Sequence, residues 1–443
     1  MPRRRANVPA PTAGKVDLTK LPARVDRVIV SGLSRTHNDY VMKAAEGLFK
    51  VTNFQDVMLE AMNANSYLNE LGIFKEVNIK IDVSHAPDAT PNGYEVTFKG
   101  KELSRLVGSI GTEVGQNEGS LRTELTIPNI FGRGESLALQ GSYSSTRAND
   151  VTLKFWKSFF HTRLFENRPE FSLSVFRHID RMDISSFQNS NLGLMGDFSI
   201  STFFPFQLRH SFQYESSVRE ISILGKSVPF AIREHCGPRL ASVLRYIVGY
   251  DQRDNPVFPS QGIMVKSTSE YSGLGGNISY MSNNTHAEVS VPVIGGIVAQ
   301  LCGRIGIVNP TKSSSDLPIS NLFYVGGPQT LRGFRFGGAG PRVDGTAIGA
   351  QSYWSAGFHL WSPLPFSGVF KGLSNNFRTH LFYNLGNFNS FTTENMRSAA
   401  GIGLAFKLAQ RARIELNYCV PIQKYQGDKT VNGFQFGIGY EFV

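Results

Sequence analysis

Gly433-Phe434-Gln435-Phe436-Gly437-Ile438-Gly439-Tyr440-Glu441-Phe442 alternates strictly between large apolar residues and polar residues or glycine. Successive side chains of a strand point to opposite faces. Phe434, Phe436, Ile438, Tyr440 and Phe442 therefore share one face, and Gln435, Gly437, Gly439 and Glu441 share the other. One face suits lipid and the other suits water. The pattern recurs upstream, where Ala412, Ile414, Leu416, Tyr418 and Val420 alternate with Arg413, Glu415, Asn417 and Cys419. A soluble sandwich alternates too. The number of such segments, their length of about ten residues and their Phe, Tyr and Trp borders favour a membrane barrel instead. No spanning helix is expected: the longest apolar run, Val291 to Leu301, contains Gly295-Gly296 and falls short of the roughly 20 residues a bilayer requires.

Turn residues divide 105–443 into about sixteen such segments. The first is Arg105–Gly115, the eleventh Gly296–Val308, the twelfth Thr346–Trp361, the thirteenth Asn376–Gly386 and the last Asn432–Phe442. The expected fold is a transmembrane β-barrel of about sixteen antiparallel strands, an even number that brings both ends of the barrel to one side of the membrane. The longest connection, residues 309–345, joins the eleventh and twelfth strands on the opposite side. It contains Gly326-Gly327-Pro328-Gln329-Thr330-Leu331-Arg332-Gly333-Phe334-Arg335-Phe336-Gly337-Gly338. Glycines allow positive-φ turns and close backbone approach in a confined space, while Arg332 and Phe334 supply a charge and a ring for docking. This loop is expected to fold inward.

Residues 25–101 read differently. Val28-Ile29-Val30 is a short apolar strand, after which Thr36 or Asn38 can cap a helix carrying Val41, Ala44, Ala45 and Leu48 on one face. Val57, Ala61, Ala64, Leu68 and Leu71 then recur at helical spacing, with Gly72 as the closing residue. Phe74 to Val83 and Tyr94 to Phe98 alternate as two strands. The order is strand, helix, helix, strand, strand: one small α/β domain. Residues 1–24, with Arg3-Arg4-Arg5 and four prolines before residue 23, read as a flexible leader that lacks the apolar core of a signal peptide.

The formal charge of +10 is spread among acids apart from the Arg3-Arg4-Arg5 run, so no nucleic-acid partner is expected. Cys236, Cys302 and Cys419 stand far apart without a CxxC, and the nine histidines form no HExxH; neither metal nor cofactor is expected. There is no GxSxG and no GxxxxGK[ST], and the chain is not expected to be an enzyme.

Leu331-Arg332-Gly333-Phe334 resembles the loop-six motif of the outer-membrane barrel assembly superfamily, with Leu331 in place of the usual Val or Ile. Asp251 through Gly262, reading DQRDNPVFPSQG, resembles that family's turn between the eighth and ninth strands. Residues 25–101 look like its polypeptide-transport-associated domain. A single such domain with no signal peptide is most similar to the branch formed by the mitochondrial sorting and assembly machinery. The resemblance implies that Arg332 docks against Phe382, Asn384 and Gly386 on the inner wall, where Asn384 replaces the family's aspartate. Glu415 and Glu441 have lumen parity and are candidates for the missing carboxylate, although coating a wet lumen fits them equally.

The resemblance further implies a core insertase of the mitochondrial outer membrane, with its N-terminal domain in the intermembrane space. β-Barrel precursor polypeptides, accessory outer-membrane subunits and membrane lipids would be its partners. A lateral seam would lie between Leu106, Gly108, Ile110, Gly111 and Val114 on the first strand and Gln435, Gly437, Tyr440 and Phe442 on the last. Those last four residues also fit the mitochondrial sorting pattern polar-x-Gly-x-x-hydrophobic-x-hydrophobic. A polypeptide-secreting transporter of the same fold and a passive porin are the alternatives.

Overall fold

The computed structural model describes residues 18, 20–115, 118–144, 148–159, 169–203, 205–312, 317–364, 376–392, 394–408 and 412–439. Most of the expected leader, 1–24, and the expected site residues Tyr440, Glu441 and Phe442 lie outside the described residues. The chain forms two compact units, one reaching to Arg105 and including Pro128–Glu135, the other holding Leu106–Ile127 and the chain from Ser136 onward.

The first unit contains β1 (Arg24–Ser31), α1 (Asn38–Ala44), a 3-10 turn at Glu46–Lys50, α2 (Phe54–Glu70), β2 (Phe74–Val83) and β3 (Gly93–Glu102). Its sheet runs β1-β3-β2, with β1 parallel to β3 and β2 antiparallel to it. Val57, Ala61, Ala64 and Leu68 on α2 pack with Leu48, Val96 and Phe98. The Asn53 side chain caps α2 by accepting the Asp56 N–H at 2.8 Å. Gly72 takes φ +66 just beyond α2, as a residue ending a helix does.

Neither expected cap serves α1, which begins after His37 with no side-chain cap. Thr36 is drawn instead to Glu102, whose carboxylate accepts the Thr36 hydroxyl at 2.7 Å, the Ser34 hydroxyl at 2.6 Å and the amides of Ser34, Arg35 and Thr36. Burial works against the Glu102 charge. The Ser34 and Thr36 hydroxyls and the Thr36 and Arg35 amides outweigh it, holding this carboxyl well below the usual carboxylate range. A depressed folded-state pKa means that the stabilisation is full above the unfolded value of about 4.3 and fades as pH falls below it. Glu102→Gln is expected to cost this domain roughly 1.5–3 kcal/mol at pH 7. Hydrogen exchange of β1 and β3 amides at pH 7 and pH 4 checks this: wild-type protection should fall toward that of the variant at the lower pH.

Among the described residues, the second unit holds a sheet of sixteen strands paired in chain order. It comprises β4 (Val107–Gly115), β5 (Glu118–Ile127), β6 (Glu135–Tyr143), β7 (Ala148–Ser158), β8 (Glu170–Met182), β9 (Phe187–Thr202), β10 (Leu208–Ile223) and β11 (Gly237–Asp251). β12 (Gly262–Gly276), β13 (Tyr280–Pro292) and β14 (Val298–Pro310) follow, then a small separate hairpin of β15 (Arg342–Val343) and β16 (Thr346–Ala347). The sheet resumes with β17 (Ser352–Pro363), β18 (Phe377–Phe388), β19 (Arg397–Leu408), β20 (Ala412–Gln423) and β21 (Gly433–Gly439). The described ladders of this sheet are antiparallel, for example Phe382 with His359 and Gly401.

Alternation decides which way each strand faces. Leu381 is 55% exposed and Phe434 is 73% exposed, while Phe382, Asn384 and Gln435 on the opposite faces are buried. Exposed Leu, Ile, Val, Phe and Tyr from β5, β8, β9, β10, β14 and β20 extend that apolar surface around the sheet, which is the surface lipid requires. Loop six is longer than expected. Thr346 does not begin the twelfth strand, because Asp344 and Gly345 at φ 48 and 78 turn the chain into the β15–β16 hairpin, an Asp-Gly connection whose twist suits two short strands. The twelfth strand, β17, starts only at Ser352.

Candidate functional site

Loop six reaches the inner faces of β18, β20 and β21. Arg332 is wholly buried, and its Nε and Nη2 donate to Glu415 Oε2 at 3.1 and 2.8 Å. The Phe382 ring lies 5.3 Å from its guanidinium carbon, a cation–π distance. Glu415 is buried too, accepts Asn417 Nδ2 at 2.9 Å, and has Arg413 Nε 2.8 Å from its other oxygen. One carboxylate from β20 thus sits between two guanidinium groups.

The wall beside it is made of small residues. Ala399, Gly401, Gly403 and Ala405 on β19 stand opposite Asn384, Phe382, His380 and Arg378 of β18 in turn. A Cβ at Gly401 would lie 2.8 Å from Phe382 Cε1. The missing side chains leave the space in which Phe382, Asn417 and the loop meet. Gly333, at φ +80, brings its backbone against Ala399, where a Cβ would come within 2.7 Å.

The loop is also stitched to the last hairpin. Val431 N donates to Gly333 O at 2.8 Å, Arg335 N to Lys429 O at 2.9 Å and Lys429 N to Gly338 O at 2.9 Å. On β21, Gln435 Oε1 accepts Gly333 N at 3.0 Å and Gln435 Nε2 donates to Phe334 O at 2.8 Å. Arg397 holds the β20–β21 connection in place through Asp428 at 3.0 Å, lying over the rings of Phe388 and Tyr425.

From the other end of the barrel, the turn between β11 and β12 folds inward as well. Asn255 Oδ1 accepts the Val257 and Phe258 amides at 2.9 and 3.1 Å, and Asp254 Oδ1 accepts the Ser260 amide at 2.8 Å. These side-chain turns drive Val257 and Phe258 into a cluster with Val298, Trp361 and Ala405. Arg413 Nη1 donates to Val257 O at 3.4 Å, and its guanidinium lies 4.9 Å from the Trp361 ring. A continuous column results: the inward turn, Arg413, Glu415, then Arg332 of loop six.

The edges of the sheet are β4 and β21. They come within 8 Å of each other, Cα to Cα, yet among the described residues no ladder joins them. Gly108, Ile110 and Gly111 on β4 are exposed, and Leu106 lies one residue before the strand rather than in it. Val114 pairs with Gly119 across the β4–β5 ladder.

A family model describing the Omp85 superfamily domain matches residues 129–442. The chain belongs to the Omp85 superfamily. It is 66% identical to SAM50-like protein CG7639 of Drosophila melanogaster over the full length of both chains. It is 33% identical to the Sorting and assembly machinery component 50 homolog of Homo sapiens, over 95% of this chain and 90% of that one. BamA from Haemophilus ducreyi lacking POTRA domains 1–3 shares the fold with a TM-score of 0.77, 19% identity, and 94% and 84% of the two chains covered.

Within this Omp85 barrel the four motif residues 331–334 are buried together. Of the expected wall residues, Phe382 meets the Arg332 guanidinium. Asn384 is buried two positions along β18, opposite Gly357 and Ala399, and Gly386 lies close against the β17 backbone. The carboxylate that pairs with Arg332 is Glu415, two strands away from Asn384. The reading from residues did not reach Arg413, the Arg397–Asp428 pair or the inward fold of the β11–β12 turn. Arg413 has the lumen parity of Glu415, which is the one signal that pointed to it.

Proposed function

We propose that this Omp85 chain is the core insertase of a barrel-assembly complex in the mitochondrial outer membrane. It folds and inserts β-barrel precursors by templating their last strand at the seam between β4 and β21. The seam carries this reading: two neighbouring strand edges share no ladder among the described residues. Unpaired backbone groups in a bilayer cost several kcal/mol each, so an edge there attracts another strand. Gly108 and Gly111 in β4 and Gly433, Gly437 and Gly439 in β21 offer few side chains to pack the junction shut.

Similarity to the human Sorting and assembly machinery component 50 homolog supports assembly over passive conductance. The partners are β-barrel precursors, accessory outer-membrane subunits and the lipids around the apolar face. The N-terminal domain faces the intermembrane space, where β1 and β2, the edges of its sheet, suit capture of extended chains. Strand templating exchanges hydrogen bonds for hydrogen bonds, so the activity involves neither catalysis nor a cofactor.

Disulfide trapping in isolated mitochondria tests the seam. Cys236, Cys302 and Cys419 are replaced, single cysteines are placed from Leu106 to Val114, and a barrel precursor carries cysteines in its last strand. Register-specific crosslinks that vanish when the precursor's sorting signal is broken are expected. Absence of crosslinks with import intact would remove templating and favour a secretory transporter or porin working through the same barrel.

A further inference from the structure

The outward face of the sheet is not apolar throughout. Ile263, Val265 and Tyr271 on β12 are exposed, as are Met281, Val289 and Val291 on β13. Between them, on the same faces by alternation, lie Ser267, Ser269, Asn283 and Thr285. Register brings the four together, Ser267 opposite Thr285 and Ser269 opposite Asn283. Asn283 Nδ2 donates to Ser267 Oγ at 3.2 Å and to Ser269 Oγ at 2.9 Å, while Thr285 Oγ1 donates to Asn283 Oδ1 at 3.0 Å. Thr285 has one hydroxyl hydrogen, so Ser267 is the donor in the 2.8 Å contact between those two hydroxyls. That leaves the Ser269 hydrogen to be given to something else.

Ser269 also lines an apolar groove of about 560 Å³ on this surface, walled by Phe198, Phe212, Tyr214, Leu244 and Met281. The groove exists because Gly196, opposite Tyr214 in the ladder, has no side chain: a Cβ there would meet nothing within 4 Å. Four polar side chains at mid-strand, with exposed apolar residues on both sides of them, are costly against hydrocarbon. A phospholipid has only methylenes at that depth and cannot accept from Ser269. A second copy of this chain would set groove against groove across a two-fold axis and fill neither. A membrane-spanning helix meets both demands. Its backbone is satisfied internally, a bulky side chain can enter the groove, and one polar side chain can answer Ser269.

We propose that this outward face of β9–β13 docks a transmembrane helix of a partner protein, one carrying an Asn, Gln, Ser or Thr beside a bulky apolar residue. The strands concerned lie in the middle of the sheet order, away from β4 and β21. The docking face therefore goes beyond the templating reading and does not depend on it.

The test uses the full-length protein in phosphatidylcholine vesicles with its native cysteines replaced and one reporter introduced at a time. Ile305→Cys is exposed on β14 opposite Thr285, and Leu139→Cys, exposed on β6, gives the level of random collision. The probe is a synthetic helix of about 20 Leu and Ala residues with lysine ends, one central Asn and a cysteine one turn from it; its twin has Leu in place of Asn. The Asn helix should crosslink to Ile305→Cys about fivefold more than its twin, the ratio that ~1 kcal/mol of hydrogen bonding in a membrane gives. At Leu139→Cys the two should give equal, low yields. Asn283→Leu should abolish the fivefold preference, and Gly196→Leu should lower the yield of both helices at Ile305→Cys by filling the groove. Each variant turns an apolar side chain toward lipid, which a barrel tolerates. Equal yields from the two helices at Ile305→Cys, or a preference that survives Asn283→Leu, would overturn the docking face. Yields that Gly196→Leu leaves unchanged would remove the groove from it. Ile305→Cys that crosslinks to itself at one rate with and without the helix would make a second copy the occupant and overturn the helix.

Discussion

Glu415→Ala releases loop six from the barrel wall. The substitution leaves Arg332 and Arg413, both buried, facing each other without the carboxylate that holds each at 2.8 Å. Breaking a buried pair by removing one partner costs about 3–5 kcal/mol, because the charge left behind has lost its solvent as well as its partner. Water must follow the guanidinium groups in, or the loop must leave; the loop is the part that can move. Hydrogen exchange in lipid nanodiscs should show protection across 327–338 falling by more than a hundredfold, a change of the size that ~3 kcal/mol gives, while the β9–β10 ladder is unchanged. Glu415→Gln should fall between, since an amide still accepts hydrogen bonds. Arg332→Met combined with Glu415→Leu should recover only part of the loss, because it removes one of the two guanidinium groups that Glu415 served while Arg413 still lacks that carboxylate. Loop-six protection that survives Glu415→Ala would show that the backbone stitching to 429–431 holds the loop by itself.

The sheet was legible because lipid and lumen impose opposite chemistry on alternate residues. Once Phe434 and Gln435 are assigned to their faces, every second residue along β21 follows. The same logic misplaced the start of the twelfth strand. Thr346-Ala347-Ile348 has strand-like residues, and what makes it part of a hairpin is the positive-φ pair Asp344 and Gly345 just before it.

Parity placed Glu415 in the lumen but could not choose it over Glu441 or a coating role. That choice depends on how deep the loop reaches, and the depth is set by the small face of β19. Ala399, Gly401, Gly403 and Ala405 look unremarkable along the chain and become a recess only when register puts them between Phe382 and Glu415. Arg413 was harder still. Its contact with Val257 spans 156 positions, and nothing local marks the β11–β12 turn as one that folds back into the barrel.

Gly333→Val should undock the loop by a different route, through shape instead of charge. At φ +80 an L-residue pays about 1–2 kcal/mol for left-handed backbone. Its Cβ would also stand 2.7 Å from Ala399 Cβ, and the branches of valine crowd the same wall. The residue therefore shifts, which pulls its N–H off Gln435 and its carbonyl off Val431. Together these effects come to roughly 3 kcal/mol, about a hundredfold in the ratio of docked to undocked loop. The protein carries its own reporter, because Cys419 is fully buried beside Gln435 and meets lumen water when loop six leaves. With Cys236 and Cys302 replaced, maleimide labelling of Cys419 should accelerate by about that factor. Gly427→Ala is the control. Gly427 has φ +91 but nothing within 4 Å of its Cβ position, so it isolates the backbone cost of about 1 kcal/mol from the collision. If both variants label alike, close packing against Ala399 is not what requires glycine in the loop-six motif, and backbone conformation alone accounts for it.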